Sequence, residues 1–464
     1  MEESGSCFPK SMKMLACRME NFNRNRFRLQ TQGASTATSR GTIVTVNLPE
    51  NSIIDTRSFR MFMDVACTNA GQDITTPTNQ VYSKLGNSGC LIAGLEIYCN
   101  GILIQHKATE YNTIYRMLQV AQSHGDWDQS VEKCLNKSYI NNDASNDSFT
   151  LCQAYWPGFM SEGSARFLST ELLGSIQLRI TFAGPEVLVP KQSGQLVGAD
   201  FTTATAAANA ALIDFSISNI YFTLETIVPS PEYNMLLRQQ LEMAGEIAIN
   251  YRERYTFSLD GIPSTGSMSS ANRFSLSSGS IDLITGVFRD ASYRTVGIPG
   301  KALVDSVGEA YVSNYSRFRA YDLSAGGALL GGARFYTQIN NVSYPNYQKT
   351  TLECLADVAY SDDKVDPHDV GNLVTSQPSF SDGVFQANTL LNCPTPELGV
   401  SLKSGYNSKG INTQMVFNAL GQTGLAAGTA TNAPWNTGVA QSFVVSSATQ
   451  SVIVGLGRMI AVSY

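Results

Sequence analysis

The sequence predicts an all-β protein made of two tandem β-sandwiches with a few short helices. Three observations support this fold class. Short apolar alternations recur along most of the chain, turn-forming residues separate them, and the second half repeats motifs of the first half. Charged residues make up only 15% of the 464 residues, below the ~25% of an average domain. This composition favours strands and turns over long solvated helices.

Residues 1–40 show no sustained apolar period, and they carry seven basic residues against three acidic ones. We interpret them as an N-terminal arm, neither a strand nor a long helix. The arm is either a partly ordered terminus or a segment that contacts a partner beneath the main body, with its basic side chains turned toward acidic groups. Arg24, Arg26 and Arg28 stand at every second position, so an extended arm would present them on one side. The chain opens without the apolar core of a secretion signal, and we expect none.

Residues 41–229 contain the first series of predicted strands. The stretch TIVTVNLPENSIIDTRSFRMFMDV has two apolar runs around a Pro-Glu-Asn turn, and SIQLRITFAG and SNIYFTLETI alternate cleanly. In LEIYCNGILIQ, Asn100-Gly101 separates two alternating runs, which is the strongest short-range signal for a β-hairpin. Residues 192–212, rich in Ala and Thr, are predicted to form a long surface loop.

One helix separates the two series of strands. SPEYNMLLRQQLEMAG begins with Ser230 as N-cap and Pro231 at the first helical position, and Gly245 follows as C-cap. Its buried face is predicted to hold Tyr233, Leu237, Leu241 and Ala244. We therefore divide the chain into an arm (1–40), a first sandwich (41–229), a linker helix (230–245) and a second sandwich (246–464).

The two sandwiches look like copies of one fold, because four local similarities recur at offsets of 227 to 239 residues. SIIDTRSFRMF matches GSIDLITGVF, YNTIYRMLQVA matches KTTLECLADVA, SIQLRITFAG matches INTQMVFNALG, and SNIYFTL matches GRMIAVS. The last match predicts that Ile460 and Val462 lie in an inner strand of the second sandwich. Many short strands with sparse helix are typical of two jelly rolls.

We find no catalytic, cofactor-binding or metal-binding constellation. VGIPGKA (296–302) lacks the spacing and the final Ser or Thr of a phosphate loop, and the nine cysteines contain no C-x-x-C pair. His106, His124 and the acidic run SDDKVDPHD (361–369) have no partners at a suggestive spacing, so we interpret them as ordinary polar positions. Trp435, in the loop sequence TNAPWNTG, has two interpretations: an exposed interface anchor or a cap on its own core.

Four features together resemble the double jelly-roll major capsid proteins of tailless icosahedral double-stranded DNA viruses. This lineage includes adenovirus, membrane-containing phages, large algal viruses and virophages. The features are the NLPENSIIDTRSF entry strand, the GLEIYCNGILI hairpin followed by EYNTIYRML, the helix after VPSPEYN, and the terminal GLGRMIAVSY. The resemblance covers almost everything from Thr42 to Tyr464.

The resemblance implies a structural, non-enzymatic capsid protein of the virion, assembled inside the host cell. Trimers of the chain would form pseudo-hexameric capsomers that tile the shell. The implied partners are the chain itself, minor capsid or penton proteins, and an internal membrane reached through the arm. Sequence-specific nucleic acid binding is not expected at a net charge of −6. The alternative is a β-sandwich that binds carbohydrates or receptors, like a lectin or adhesin.

Overall fold

The computed structural model describes residues 23–33, 36, 41–69, 81–82, 88–106, 110–121, 148–187, 189–190, 213–263, 268–275, 277–290, 333–339, 342–349, 391–394, 407–410, 413–419 and 439–463. Within these residues the protein is built almost entirely from antiparallel strands. They form four main sheets, two in each half of the chain, and one additional two-stranded pair.

The described residues of the first half form twelve strands. They are β1 (Asn23–Gln30), β2 (Ile43–Asn47), β3 (Ile53–Asp55), β4 (Arg60–Asn69), β5 (Val81–Tyr82), β6 (Ile92–Cys99), β7 (Ile102–Gln105), β8 (Ser148–Gln153), β9 (Phe167–Ser169), β10 (Ile176–Phe182), β11 (Val189–Pro190) and β12 (Ile213–Val228). One sheet has the order β8-β4-β12-β1. In the same sheet β3 also pairs with β12, and β9 pairs with β3. The other sheet has the order β2-β10-β6-β7, and the small β5–β11 pair stands apart.

Alternating side chains from both sheets meet in one core. Val44, Ile97 and Leu178 come from one sheet, and Met63 and Phe222 come from the other, and all five are fully buried. The predicted hairpin is confirmed: β6 and β7 join at Asn100 and Gly101, which both have positive φ. A type I′ turn requires that conformation at both central residues.

Four α-helices accompany these strands. They are α1 (Tyr111–Ala121), α2 (Phe159–Glu162), α3 (Thr170–Leu173) and α4 (Pro231–Ala244). Helix α4 is the predicted linker, with Ser230 as N-cap and Gly245, at φ 78°, as C-cap. Its buried face holds Tyr233, Leu237 and Leu241 as expected, but Ala244 is exposed because the last turn extends beyond the surface that the helix covers.

Nine strands lie in the part of the second half that the structure describes. They are β13 (Glu246–Pro263), β14 (Met268–Phe274), β15 (Ile281–Asp290), β16 (Ala333–Ile339), β17 (Val342–Lys349), β18 (Leu391–Pro394), β19 (Thr413–Ala419), β20 (Val439–Gly455) and β21 (Met459–Ser463). Their sheets have the orders β13-β20-β15-β18 and β14-β19-β16-β17, and β21 pairs with β20.

The two halves have the same strand order, so each is a jelly roll of eight principal strands in two facing sheets. Strands β13 to β20 occupy, in sequence order, the positions of β1, β2, β4, β6, β7, β8, β10 and β12. The equivalence of SIQLRITFAG (β10) with INTQMVFNALG (β19) is confirmed. SIIDTRSFRMF runs from β3 into β4, and GSIDLITGVF leads into β15, the counterpart of β4, but the match of Ile54 with Ile281 sets β15 against β3.

Two sequence-based interpretations are wrong. GRMIAVS, in β21, is not the counterpart of SNIYFTL, because β20 occupies the position of β12 and β21 is paired on one side only among the described residues. Residues 23–30, assigned to an arm without a strand, form β1, since β12 offers them a continuous edge for backbone hydrogen bonds. The segment KTTLECLADVA and the loop 192–212 lie outside the described residues.

Candidate functional site

The side chains that the sequence singled out for chemistry do not converge within the described residues. His106 follows β7, and its ring lies 6.3 Å from the ring of Tyr255 in the second jelly roll. Of the aromatic side chains, Trp156 is fully buried against Phe59 in the first core. Cys90, Cys99 and Cys152 are buried thiols. VGIPGKA, His124, the acidic run 361–369 and Trp435 lie outside the part of the chain that the structure describes.

No group of three or more His, Cys, Asp or Glu side chains that could hold a metal ion occurs among the described residues. Among the same residues, no helix is both long enough and apolar enough to span a bilayer. The remaining candidate for a functional feature is a structural contact and not a chemical site. It is the contact that joins the two jelly rolls, which we call the seam.

The seam is organised by β13, the first strand of the second jelly roll. Its backbone at Asn250 exchanges hydrogen bonds with Ser164 of the first jelly roll: Ser164 N donates to Asn250 O at 2.7 Å, and Asn250 N donates to Ser164 Oγ at 3.1 Å. The Tyr251 hydroxyl donates to the Ile104 carbonyl and lies 2.9 Å from Gln450 Oε1. The edge of β13 that faces away from β20 is therefore bonded to the first jelly roll at Asn250.

Apolar side chains of the second jelly roll enter the core of the first. Ile249, Tyr251, Val452, Val454 and Ile460 belong to the same buried cluster as the side chains of the first jelly roll. The Tyr251 ring meets Phe159 of α2 edge to face at 5.4 Å. Each fully buried side chain of this size stabilises the contact by about 1.5–3 kcal/mol, so the seam is a continuous core and not a loose domain contact.

A buried ion pair crosses the seam beside this core. The Arg254 guanidinium bonds both carboxylate oxygens of Glu162 in α2, and both side chains are largely buried. Glu162 also accepts hydrogen bonds from Gly158 N at 2.8 Å and from the Tyr155 hydroxyl at 3.2 Å. Burial alone would raise the pKa of Glu162, but the charge and hydrogen bonds of Arg254 outweigh it and lower that pKa.

Glu253 lies on the other face of β13, and its pKa is shifted in the direction opposite to that of Glu162. Burial raises the pKa of Glu253 well above its usual value of 4.5, and the nearby Arg254 charge and the N–H groups of His106 and Arg254 only partly offset this effect. One carboxyl oxygen, Oε2, has no hydrogen-bond partner. The folded seam therefore favours the neutral, protonated form of Glu253.

A pH-dependent stability follows from this environment. A carboxyl group with a raised pKa in the folded state stabilises the fold below its unfolded pKa, and that stability is lost as the pH rises toward the folded value. We expect Glu253→Gln to reduce the loss of stability that occurs as the pH rises above the usual carboxyl pKa of 4.5, as measured by urea unfolding at a series of pH values. Glu50→Gln, at an exposed turn position of the first jelly roll, is the matched control for removing one carboxylate away from the seam. Identical profiles for wild type and Glu253→Gln would contradict the assignment.

Arg458 joins the two halves at a second corner, just before β21. Its Nε donates to the Glu171 carbonyl at 2.9 Å, and its Nη2 donates to Asn51 Oδ1 at 3.3 Å. The Arg458 carbonyl accepts from Asn100 Nδ2 at 3.2 Å. The turn of the β6–β7 hairpin therefore contacts the second jelly roll directly.

The arginines of β1 lie on one face, as predicted, but they are bound to their own chain. Arg24 and Arg26 both pair with Glu225 of β12. Arg28 stands 3.8 Å from the centre of the Tyr221 ring. Their strand pairs with β12 along eight residues, so this part of the predicted arm is an integral strand of the first jelly roll.

Comparison with solved structures identifies the fold. A chain of the PBCV-1 virus capsid is 12% identical and superposes with a TM-score of 0.58, over 96% of this chain and 98% of that chain. A chain of the Sputnik virophage structure gives 9% identity and a TM-score of 0.53, over 96% and 88% of the two chains. The Faustovirus major capsid protein gives 8% and 0.51, over 94% and 91%.

The chain thus has the double jelly-roll fold of these viral capsid proteins, over nearly its whole length. No protein-family model matches the sequence. A search of curated protein sequences also finds no match.

Proposed function

We propose that this chain is a structural major capsid protein of a tailless icosahedral double-stranded DNA virus, located in the virion shell. The observation that carries the proposal is the shared fold, which extends over 94% or more of the chain and includes both jelly rolls. The three solved structures compared above come from virus capsids, and no enzymatic role is proposed.

The seam supports this proposal physically. Two jelly rolls with the same strand order are held as one block by a continuous core and a buried ion pair. Three such blocks around a threefold axis present six similar units, so the trimer can occupy a hexagonal lattice position while using only threefold symmetry. Such packing requires a rigid block, because a hinge between the jelly rolls would vary the positions of the six units and disturb their hexagonal arrangement.

The proposed division of the chain follows from the same reasoning. We assign residues 41–229 to the first jelly roll together with β1, residues 230–245 to the linker helix and residues 246–464 to the second jelly roll. The partners proposed are further copies of the chain, neighbouring capsomers, minor capsid or penton proteins, and an internal membrane approached by the segment before β1. A lectin-like or adhesin-like function is not proposed, since no observation on the described residues favours it.

Native mass tests the proposal most directly. Light scattering of the purified protein should give three times 50.2 kDa, or a larger assembly of that unit, because isolated capsomer subunits would leave their contact surfaces exposed. A dilution series separates a stable trimer from weak association, since a stable trimer keeps its mass on dilution. A protein that remains monomeric at every concentration would contradict the capsid role.

A further inference from the structure

The linker helix α4 exposes an apolar face to solvent. Met235 is 62% exposed and Met243 is 80% exposed, and Leu236 lies beside them on the side opposite the buried Tyr233 and Leu237. These positions fall on one face of a helix with 3.6 residues per turn, with the exposed polar Gln239 between Met235 and Met243. A surface helix normally turns charged residues outward, so this face needs an explanation.

The exposed face continues beyond the helix. Glu246, which follows the helix, pairs with Gly455, and Gly455 pairs with Met459 across β20 and β21. Leu456 and Met459 therefore lie near the end of α4, and they are 46% and 69% exposed. We call Met235, Leu236, Met243, Leu456 and Met459 together the methionine face.

Such a face has the character of a docking surface. Contiguous apolar surface on a folded protein usually marks an interaction site, and methionine is common where a surface must adapt to an apolar partner. Within the described residues, the three methionines of this face are the most exposed large apolar side chains. The question is which segment covers them.

The segment directly before β1 has a matching pattern. Although no apolar period extends over residues 1–40 as a whole, the apolar residues of this shorter segment recur at intervals of four, three, four and three, which places them on one side if the segment is helical. They are Phe8, Met12, Leu15, Met19 and Phe22. Met14 falls outside this series, on the opposite side of such a helix.

The position and the length of the segment also fit. Asn23, where β1 begins, pairs with Val228, two residues before the N-cap of α4. The segment therefore starts beside the helix, and the short tether gives it a high effective concentration there. Fourteen helical residues of α4 span ~21 Å, and residues 8–22 in helical form would span about the same length.

The charges are complementary as well. The segment carries Lys10, Lys13 and Arg18. The methionine face is bordered by the exposed carboxylates of Glu232, Glu242 and Glu246. Opposite charges around an apolar contact fix the orientation of a docked segment.

We propose that residues 8–22 of the same chain dock as an amphipathic helix on the methionine face. The docked segment removes this face from solvent and prevents the free protein from associating through it. The proposal does not depend on the capsid function, because it concerns one chain and can be measured on the purified protein.

Methionine oxidation tests the proposal, since a covered thioether reacts more slowly with dilute hydrogen peroxide than an exposed one. Peptide mass spectrometry would follow Met235 and Met243, with the fully buried Met61 and Met63 as internal references. In the full-length protein, Leu15→Asp should raise the oxidation rates of Met235 and Met243 about tenfold or more, a factor equivalent to ~1.4 kcal/mol of docking free energy. Met14→Asp adds the same charge on the other side and should leave both rates unchanged.

Two results would overturn the proposal. If Met235 and Met243 of the wild-type protein react as fast as in Leu15→Asp, nothing covers the face. If they remain equally protected in both proteins, another surface covers it. Mixing isotope-labelled wild-type chains with Leu15→Asp chains tests whether the segment docks within its own chain. If it does, Met235 and Met243 of the variant still oxidise rapidly in the mixture. If they become protected, a second copy of the chain supplies the docked segment instead.

Discussion

Arg254→Leu should lower the free energy of unfolding by about 3–5 kcal/mol, the cost typical of removing one partner from a buried ion pair. The reason is that Glu162 would remain in the seam without its counter-charge, while Gly158 N–H and the Tyr155 hydroxyl still hold its carboxylate in place. Equilibrium urea unfolding measures the change, or the unfolding rate does so if unfolding is irreversible.

The exposed pair of Arg238 and Glu171 provides the matched control. Arg238 is 62% exposed in this pair, so Arg238→Leu should cost no more than about 1 kcal/mol. The double variant Glu162→Leu with Arg254→Leu should recover part of the loss, because no unpaired charge then remains buried. Equal costs for Arg254→Leu and Arg238→Leu would show that the seam pair is effectively solvated.

The seam could not be predicted from the sequence, although the strands on both sides of it could. Glu162 and Arg254 are separated by 92 positions, and neither stands in a motif. Their pairing results from the way the edge of β13 meets α2, a helix of only four residues. Local alternation predicts that a strand exists and which face is buried, but it does not say which two elements meet.

Local signals were reliable where backbone geometry demands particular residues. Asn100-Gly101 gave the hairpin, and Ser230, Pro231 and Gly245 gave the bounds of the linker helix, because positive φ, a fixed φ and a helix cap each select few residue types. The same reasoning failed for β1. NRNRFRLQ contains only two apolar residues, and its stability comes from the edge of β12 nearly two hundred residues away.

The mistaken equivalence of GRMIAVS with SNIYFTL has a similar physical cause. The true counterpart, β20, buries polar side chains along its length, among them Ser442, Ser446 and Gln450. These residues interrupt the apolar period that marks β12, so the short apolar strand β21 resembled β12 more closely than β20 did. The duplication is evident in the strand order, but the side-chain pattern of β20 does not show it.

Removing residues 458–464 should abolish soluble expression of the protein. The truncation deletes β21, which pairs with β20 along five residues, and it deletes the Arg458 contacts to Glu171 and Asn51. It also removes Ile460, which is buried in the core shared by both jelly rolls, and Val462, which packs against that core. The strand thus supports the seam as well as its own sheet, and its loss would expose both.

Point substitutions separate the core face of β21 from its backbone pairing. Ile460→Ala should lower the free energy of unfolding by about 2–5 kcal/mol, as expected for truncating a buried isoleucine. Ser463→Ala, at an exposed position of the same strand, should stay within about 0.5 kcal/mol of wild type. Solubility of both variants and insolubility of the truncation would indicate that the backbone pairing and the Arg458 contacts dominate. A soluble, trimeric truncation product would instead show that β21 is peripheral, because a strand that completes a core shared by two jelly rolls cannot be removed without exposing that core.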